Sequence, residues 1–243
     1  HRLDDAGVAL RLGTQVDAAS LVGENFDAIV VATGVKPRMP AIDGADHPKV
    51  LNYLDVLARD ALVGRRVAII GAGGIGFDVA EFLVQPAPSP STDVARWSRE
   101  WGVDLAYACA GALALPAPEP PAREVWLLQR SPGRPGAKLN KTSGWVHRAT
   151  LKHKGVHMLG GVNYRRIDDA GLHVVVDGRE QLIEVDNVII CAGQEPERSL
   201  AEALLDLDAP DSAEMFVIGG ADVATELDAK RAIAQGTELA ISL

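Results

Sequence analysis

Cysteine is nearly absent from this chain. Of 243 residues only Cys109 and Cys191 carry a thiol, and they form no C-x-x-C pair. That argues against a disulfide scaffold, a cysteine zinc site and a dithiol redox centre, so any redox chemistry needs a bound cofactor. Basic charge is also in short supply. The 24 Lys and Arg are outnumbered by 33 Asp and Glu, giving a net charge of −9, which speaks against nucleic acid or an anionic membrane as the main partner. Long apolar runs are missing too. The longest, 106–115, falls well short of the roughly 20 residues a membrane helix requires. No secretory leader is visible, which makes the cytoplasm the default compartment. The chain opens at His1 without a methionine and runs at once into 8–12, which reads as strand material already inside a domain, so a fragment is expected.

What is present is ample core material: 47% of the residues are hydrophobic, enough for one large domain or two modest ones. Stretch 26–34 is a continuous apolar strand ending in Gly34, the pattern of a parallel strand buried on both faces. A helix is expected over 52–62. Then follow a strand at 66–70, a glycine turn at 71–76 and a helix from 77 to 84. Seven of the fourteen prolines fall in 85–123, which reads as an ordered excursion with a helix near 94–101. A strand at 124–129, a helix at 143–154 and a short strand at 156–159 lead into three runs separated by Asp169-Ala170-Gly171 and Asp177-Gly178, an antiparallel meander. Stretch 188–193 repeats the design of 29–34. A strand at 215–218 and a helix from 228 close the chain.

The glycine turn carries the sharpest chemistry. Gly71-Ala72-Gly73-Gly74-Ile75-Gly76 lies between a strand and a helix, the context in which such a motif indicates a dinucleotide. Gly71 permits the tight turn, Gly73 lets the backbone approach a pyrophosphate, and Gly76 lets helix and strand pack closely, with helix amides facing the anion. The plainer alternative is a turn that only saves space.

An NAD site would place Asp or Glu at the end of the next strand; here that strand ends Gln129-Arg130-Ser131. Arg134, Lys138 and Lys141 follow, and residues 125–154 hold seven Lys and Arg and no Asp or Glu. That concentration favours a 2′-phosphate, hence NADP(H), on Arg130 with Ser131 and Arg134 beside it. Lys152 and Lys154 are read instead as a solvated helix face. Arg130 lies 54 residues after Gly76 rather than the usual ~20 or so, a gap the excursion accounts for. Gly219-Gly220-Ala221-Asp222 before the last helix offers a carboxylate for a polyol hydroxyl, or a helix cap. Histidines 47, 147, 153, 157 and 173 show no metal spacing and are read as surface or packing residues. No catalytic residue is identifiable.

In order, Ala32-Thr33-Gly34, the glycine turn, Cys191-Ala192-Gly193 and Gly220-Ala221-Asp222 resemble the flavoprotein reductases in which an NAD(P) domain is inserted in an FAD domain. More narrowly, 69–78, Lys141 to Arg148, Asp186 to Pro196, Glu226 to Gly236 and the excursion resemble bacterial 2,4-dienoyl-CoA reductases. The resemblance implies that Arg130 holds the 2′-phosphate, that Gly71, Gly73, Gly74, Ile75 and Gly76 cradle the pyrophosphate, and that Ala192 and Gly193 lie beside NADPH. It implies that Ala32, Thr33, Gly34, Asp222, Arg231 and Ala232 border FAD. It also implies an N-terminal barrel with FMN and a 4Fe-4S cluster; neither this barrel nor the first FAD glycine turn is among these residues.

The expected fold is α/β: a Rossmann-like parallel-sheet NAD(P)-binding domain with a β-meander, inserted in a partial FAD-binding α/β domain. The expected segments are 1–62 (FAD), 63–192 (NADPH, with the insertion 85–123) and 193–243 (returning FAD). The expected function is hydride transfer from NADPH to FAD in support of 2,4-dienoyl-CoA reduction during unsaturated fatty-acid oxidation. The alternatives are the same architecture with another acceptor, and a nucleotide-binding module without turnover of its own.

Overall fold

The computed structural model describes residues 2–207, 213–225 and 229–243. The chain forms two compact units, one of residues 1–36 and 194–243, the other of residues 37–193.

The first unit opens with α1 (Arg2–Asp5), α2 (Ala18–Gly23), β1 (Ala28–Val31) and β2 (Val35–Pro37). Asp17 caps α2 by accepting from the Ser20 amide at 2.8 Å. Residues 8–12, expected as strand, are irregular, with Leu12 86% exposed, because no strand among the described residues pairs with them.

The second unit begins with β3 (Val50–Asn52) and α3 (Tyr53–Leu57). Helix α3 is less than half of the expected 52–62: Asn52 and Asp55 form a capping box, but the helix ends at Ala58 and Leu62 is 97% exposed. With no apolar face to bury beyond Leu57, nothing extends it. Next come β4 (Arg66–Ile70), α4 (Gly74–Val84), α5 (Val94–Trp101), β5 (Glu124–Leu128), α6 (Gly144–His153), β6 (His157–Leu159), the strands β7 (Asn163–Asp168), β8 (Gly171–Val176) and β9 (Arg179–Ile183), and β10 (Asn187–Ile190). The main sheet runs β3-β10-β4-β5-β6, all parallel, and β7-β8-β9 is the expected antiparallel meander.

Alternation along the central strands sorts the core into two layers. Val67, Ile69, Val125, Leu127 and Ile189 face Phe77, Ala80 and Leu83 of α4 and Leu151 of α6. Ala68, Ile70, Leu128, Val188 and Ile190 face Ile167, Leu172, Val174 and Ile183 of the meander. Each fully buried Leu, Ile or Phe contributes roughly 1.5–3 kcal/mol. Covered on both faces, these strands read as continuous apolar runs.

The excursion is ordered and tied down. Asp93 and the left-handed Gly102 cap α5, the Ala122 amide returns to the Val84 carbonyl at 3.0 Å, and Trp101 packs on His153 with ring centroids 5.3 Å apart. The Arg96 guanidinium, hydrogen-bonded to Glu119, holds that carboxyl below the usual range. Lys154, expected on a solvated face, is instead 4% exposed and paired with the equally buried Glu100 of α5. An unpaired ammonium could not stay there, and the excursion supplies its carboxylate.

The chain then returns to the first unit with β11 (Gln194–Pro196), α7 (Ser199–Asp206), β12 (Glu214–Val217) and α8 (Ala229–Ser242). There β12 pairs in parallel with β1 and β11 pairs with β2. The expected start of the last helix, Asp228, and the first residues of the 226–236 stretch lie outside the described residues. The division falls at 36/37 and 193/194, not at 62/63 and 192/193. Residues 50–52 pair with β10, so they belong to the five-stranded sheet.

Candidate functional site

The order β3-β10-β4-β5-β6 reverses direction at β4: its crossover helix leads to β5 on one side, and β10 returns on the other. Such a switch point opens a crevice at the carboxyl ends of the strands. The glycine turn stands there. Gly71 donates its amide to the Leu128 carbonyl at 2.8 Å and has φ +116; a Cβ on it would lie 2.6 Å from the Cys191 carbonyl. A Cβ on Gly76 would lie 1.8 Å from the Gly71 oxygen. Packing alone accounts for these two glycines. It does not account for Gly73 or Gly74, where a Cβ would meet nothing within 4 Å and neither φ is positive. Their missing side chains leave open space over the first turn of α4, whose amides have no side-chain cap from Gly73. Ile75 packs at the edge of the helix-side core. The cradle fits a pyrophosphate, with amides on one side and no Cβ in the way.

Arg130 and Ser131 follow β5 after Gln129 and are exposed, as is Arg134. Their loop is rigidly framed: the Gln129 side-chain amide donates to the Ser131 and Gly133 carbonyls at 3.1 and 3.3 Å, and Arg148 to the Gly136 carbonyl at 2.8 Å. Gly136 is pressed against Phe77. Among the described residues, none of Arg130, Arg134, Lys138 and Lys141 has a carboxylate partner. The frame therefore presents unneutralised positive charge, suited to an anion. The Tyr164 hydroxyl is enclosed and meets no hydrogen-bonding group among the described residues. Burial pushes this phenol up, and the charge of Arg130 opposes the shift.

Ala192 and Gly193 follow β10 after Cys191, beside the turn; Gly193 has φ +93 and is covered by the Arg38 guanidinium. Burial pushes the neighbouring Cys191 thiol up to about 12, which keeps it protonated and unreactive near neutrality.

In the other unit, Ala32 and Thr33 are exposed after β1 and Gly34 has φ +81, facing open space. The Thr33 hydroxyl and the Gly34 carbonyl bond to the backbone of Glu197. Asp222 accepts from the Gln235 amide at 2.9 Å and lies 3.8 Å from the Arg198 guanidinium, which also donates to the Ala221 carbonyl at 2.8 Å. Arg231 reaches the Val223 carbonyl, and Ala232 follows it, half-buried on α8. Gln235 of α8 is thus tied both to Asp222 and to the Gly219 amide just beyond β12.

Arg38, Tyr164 and Arg198 escaped the reading of the sequence. Each is a lone side chain without a spacing pattern, brought to its place only by chain reversal. Of histidines 47, 147, 153, 157 and 173, four lie near carboxylates, His147 2.7 Å from Glu81 and His173 2.8 Å from Asp168 among them, while His153 packs on Trp101.

A cavity of about 850 Å³ lies at the opposite, amino end of the same sheet, lined by Arg66, Arg123, Lys154 and Asp186 among others. Of the cations that line it, Arg66 pairs with Glu184 at 3.1 Å, Arg123 donates to backbone carbonyls and Lys154 pairs with Glu100, while Arg65 is exposed.

Residues 1–212 match the family model described as pyridine nucleotide-disulphide oxidoreductase. A bilirubin reductase of Mediterraneibacter gnavus is 35% identical over 85 residues, 35% of this chain and 13% of that protein. A metal reductase of Desulforamulus reducens is 23% identical over 204 residues, 82% of this chain and 30% of that one. The structure of a 2-naphthoyl-CoA reductase superposes with a TM-score of 0.75 at 24% identity, over 100% of this chain and 31% of its own, a likeness of fold. The chain thus spans about a third or less of these proteins. With the glycine cradle at a parallel-sheet switch point and a family model matching most of its length, the chain belongs to the pyridine nucleotide-disulphide oxidoreductases, as a flavin- and NAD(P)-dependent oxidoreductase domain.

Proposed function

We propose that this chain is the NADPH- and FAD-binding part of a larger cytoplasmic flavoprotein reductase. NADPH would supply a hydride and FAD would accept it. In this reading Gly73, Gly74 and the first amides of α4 hold the diphosphate, Arg130 with Ser131 and Arg134 holds the 2′-phosphate, and Ala192 and Gly193 border the nucleotide. Ala32, Thr33, Gly34, Asp222, Arg231 and Ala232 border FAD. The observation that carries the reading is Arg130: an exposed, unpaired guanidinium at the strand end where an NAD site places a carboxylate. The thiols take no part, since Cys191 is buried and Cys109 has no second cysteine near it in sequence.

For the acceptor, the resemblance in sequence favours a 2,4-dienoyl-CoA, which electrons from FAD would reach through a 4Fe-4S cluster and FMN carried by a barrel. A second reading, the same architecture serving another acceptor, is favoured by the differing substrates that the relatives' names carry.

Titrating NADPH and NADH into the purified chain and into Arg130→Ala tests the donor. Hydrogen bonds to charged groups contribute about 1.5–3 kcal/mol, so NADPH affinity should fall by roughly ten- to a hundredfold with NADH unchanged. Equal affinity of the wild type for both nucleotides, or an unaltered preference in the variant, overturns the assignment.

A further inference from the structure

We propose that Arg38 is a second anion-binding residue of the nucleotide site, contacting the nicotinamide-side phosphate of the dinucleotide. This rests on the reading of the glycine turn as the diphosphate cradle. Arg38 lies in the same compact unit as that turn. Its Nη2 donates to the Ala192 carbonyl at 3.3 Å and its backbone amide to the Gly193 carbonyl at 3.3 Å. The guanidinium edge lies flat on Gly193: a Cβ there would be 2.5, 2.8 and 2.9 Å from Nη2, Cζ and Nε. The φ of +93 at residue 193 favours glycine, and the cation covers that glycine.

The same segment is in contact with the cradle on its other side. A Cβ on Gly71 would be 2.6 Å from the Cys191 carbonyl and 2.9 Å from the Ala192 nitrogen. The glycine turn, residues 191–193 and Arg38 thus form one continuous wall. Arg38 is exposed and has no carboxylate partner among the described residues. Ala192 uses one N–H of a five-donor fork; the rest point to a bidentate partner, and a phosphate matches that geometry. Arg130 and Arg38 would then read opposite halves of the dinucleotide, with the uncapped amides of α4 between them.

The test compares two ligands. Adenosine 2′,5′-bisphosphate carries the adenine-side phosphates and lacks the nicotinamide half; NADPH carries both. Arg38→Gln keeps a donor for the Ala192 carbonyl and removes the charge. It should weaken NADPH and NADH about tenfold, leave adenosine 2′,5′-bisphosphate within twofold, and melt with the wild type; Arg38→Lys should recover part of the loss. Unchanged NADPH binding, or an equal loss for NADPH and the bisphosphate, overturns the role of Arg38. Failure of the donor reading has a different signature, in which Arg130→Ala leaves the bisphosphate unaffected.

Discussion

The two ends of the five-stranded sheet are both rich in cations and use them in opposite ways. At the amino end, Arg66 meets Glu184 and Asp186, Arg123 donates to the carbonyls of Gly64 and Leu83, and Lys154 is buried against Glu100. The protein itself supplies the partners of these three cations. At the carboxyl end, Arg130, Arg134 and Arg38 stand exposed without carboxylates among the described residues, beside glycines whose missing side chains serve no packing need. Basic composition is common to both; uncommitted charge next to uncommitted space distinguishes the proposed nucleotide site.

The contrast breaks first if Lys154 proves dispensable. Lys154→Ala strands a buried carboxylate and should cost about 3–5 kcal/mol in urea unfolding, while Lys154→Met with Glu100→Leu should recover most of it. Neither change should alter nucleotide affinity in any variant that folds.

Two glycines sharpen the carboxyl end. Gly76→Ala drives a Cβ into the Gly71 oxygen, an overpacking that should cost roughly 1–3 kcal/mol or more. Gly73→Ala meets open space and should stay within about 1 kcal/mol of the wild type, yet lose NADPH affinity. Equal melting losses in the two variants would erase the distinction between packing and cradle glycines.

The openness of that end should stop at Cys191. A maleimide at pH 8 should label the native chain at Cys109 only, with the second thiol reacting after unfolding. Because burial raises the folded value, the stability Cys191 contributes is full below about 8.5 and is lost as pH rises toward about 12. Cys191→Ala should therefore lose less stability than the wild type between pH 8 and pH 10.5.

The smallest effect belongs to the amino-end surface. Arg66 is 44% exposed on its side chain. Arg66→Ala should cost under about 1 kcal/mol by chemical denaturation and leave the NADPH titration unchanged.

Much of this protein was legible along the chain, because the signals are local. Continuous apolar runs marked the two-sided parallel strands, the Asp169–Gly171 and Asp177-Gly178 turns marked the meander, and a strand, glycine turn and helix in succession marked the cradle. The basic loop after β5 could be read because its charges lie close together in sequence. What the sequence determined by itself is therefore the α/β class, the glycine turn and the place of Arg130. Tertiary structure alone decided that residues 50–52 join the central sheet, since a three-residue strand has meaning only beside β10. It also decided that Lys154 is buried against a carboxylate 54 residues away, and that Arg38 covers Gly193 across 155 positions. Each of these depends on partners that only chain reversal brings within reach, and neither hydrophobic period nor charge run encodes them.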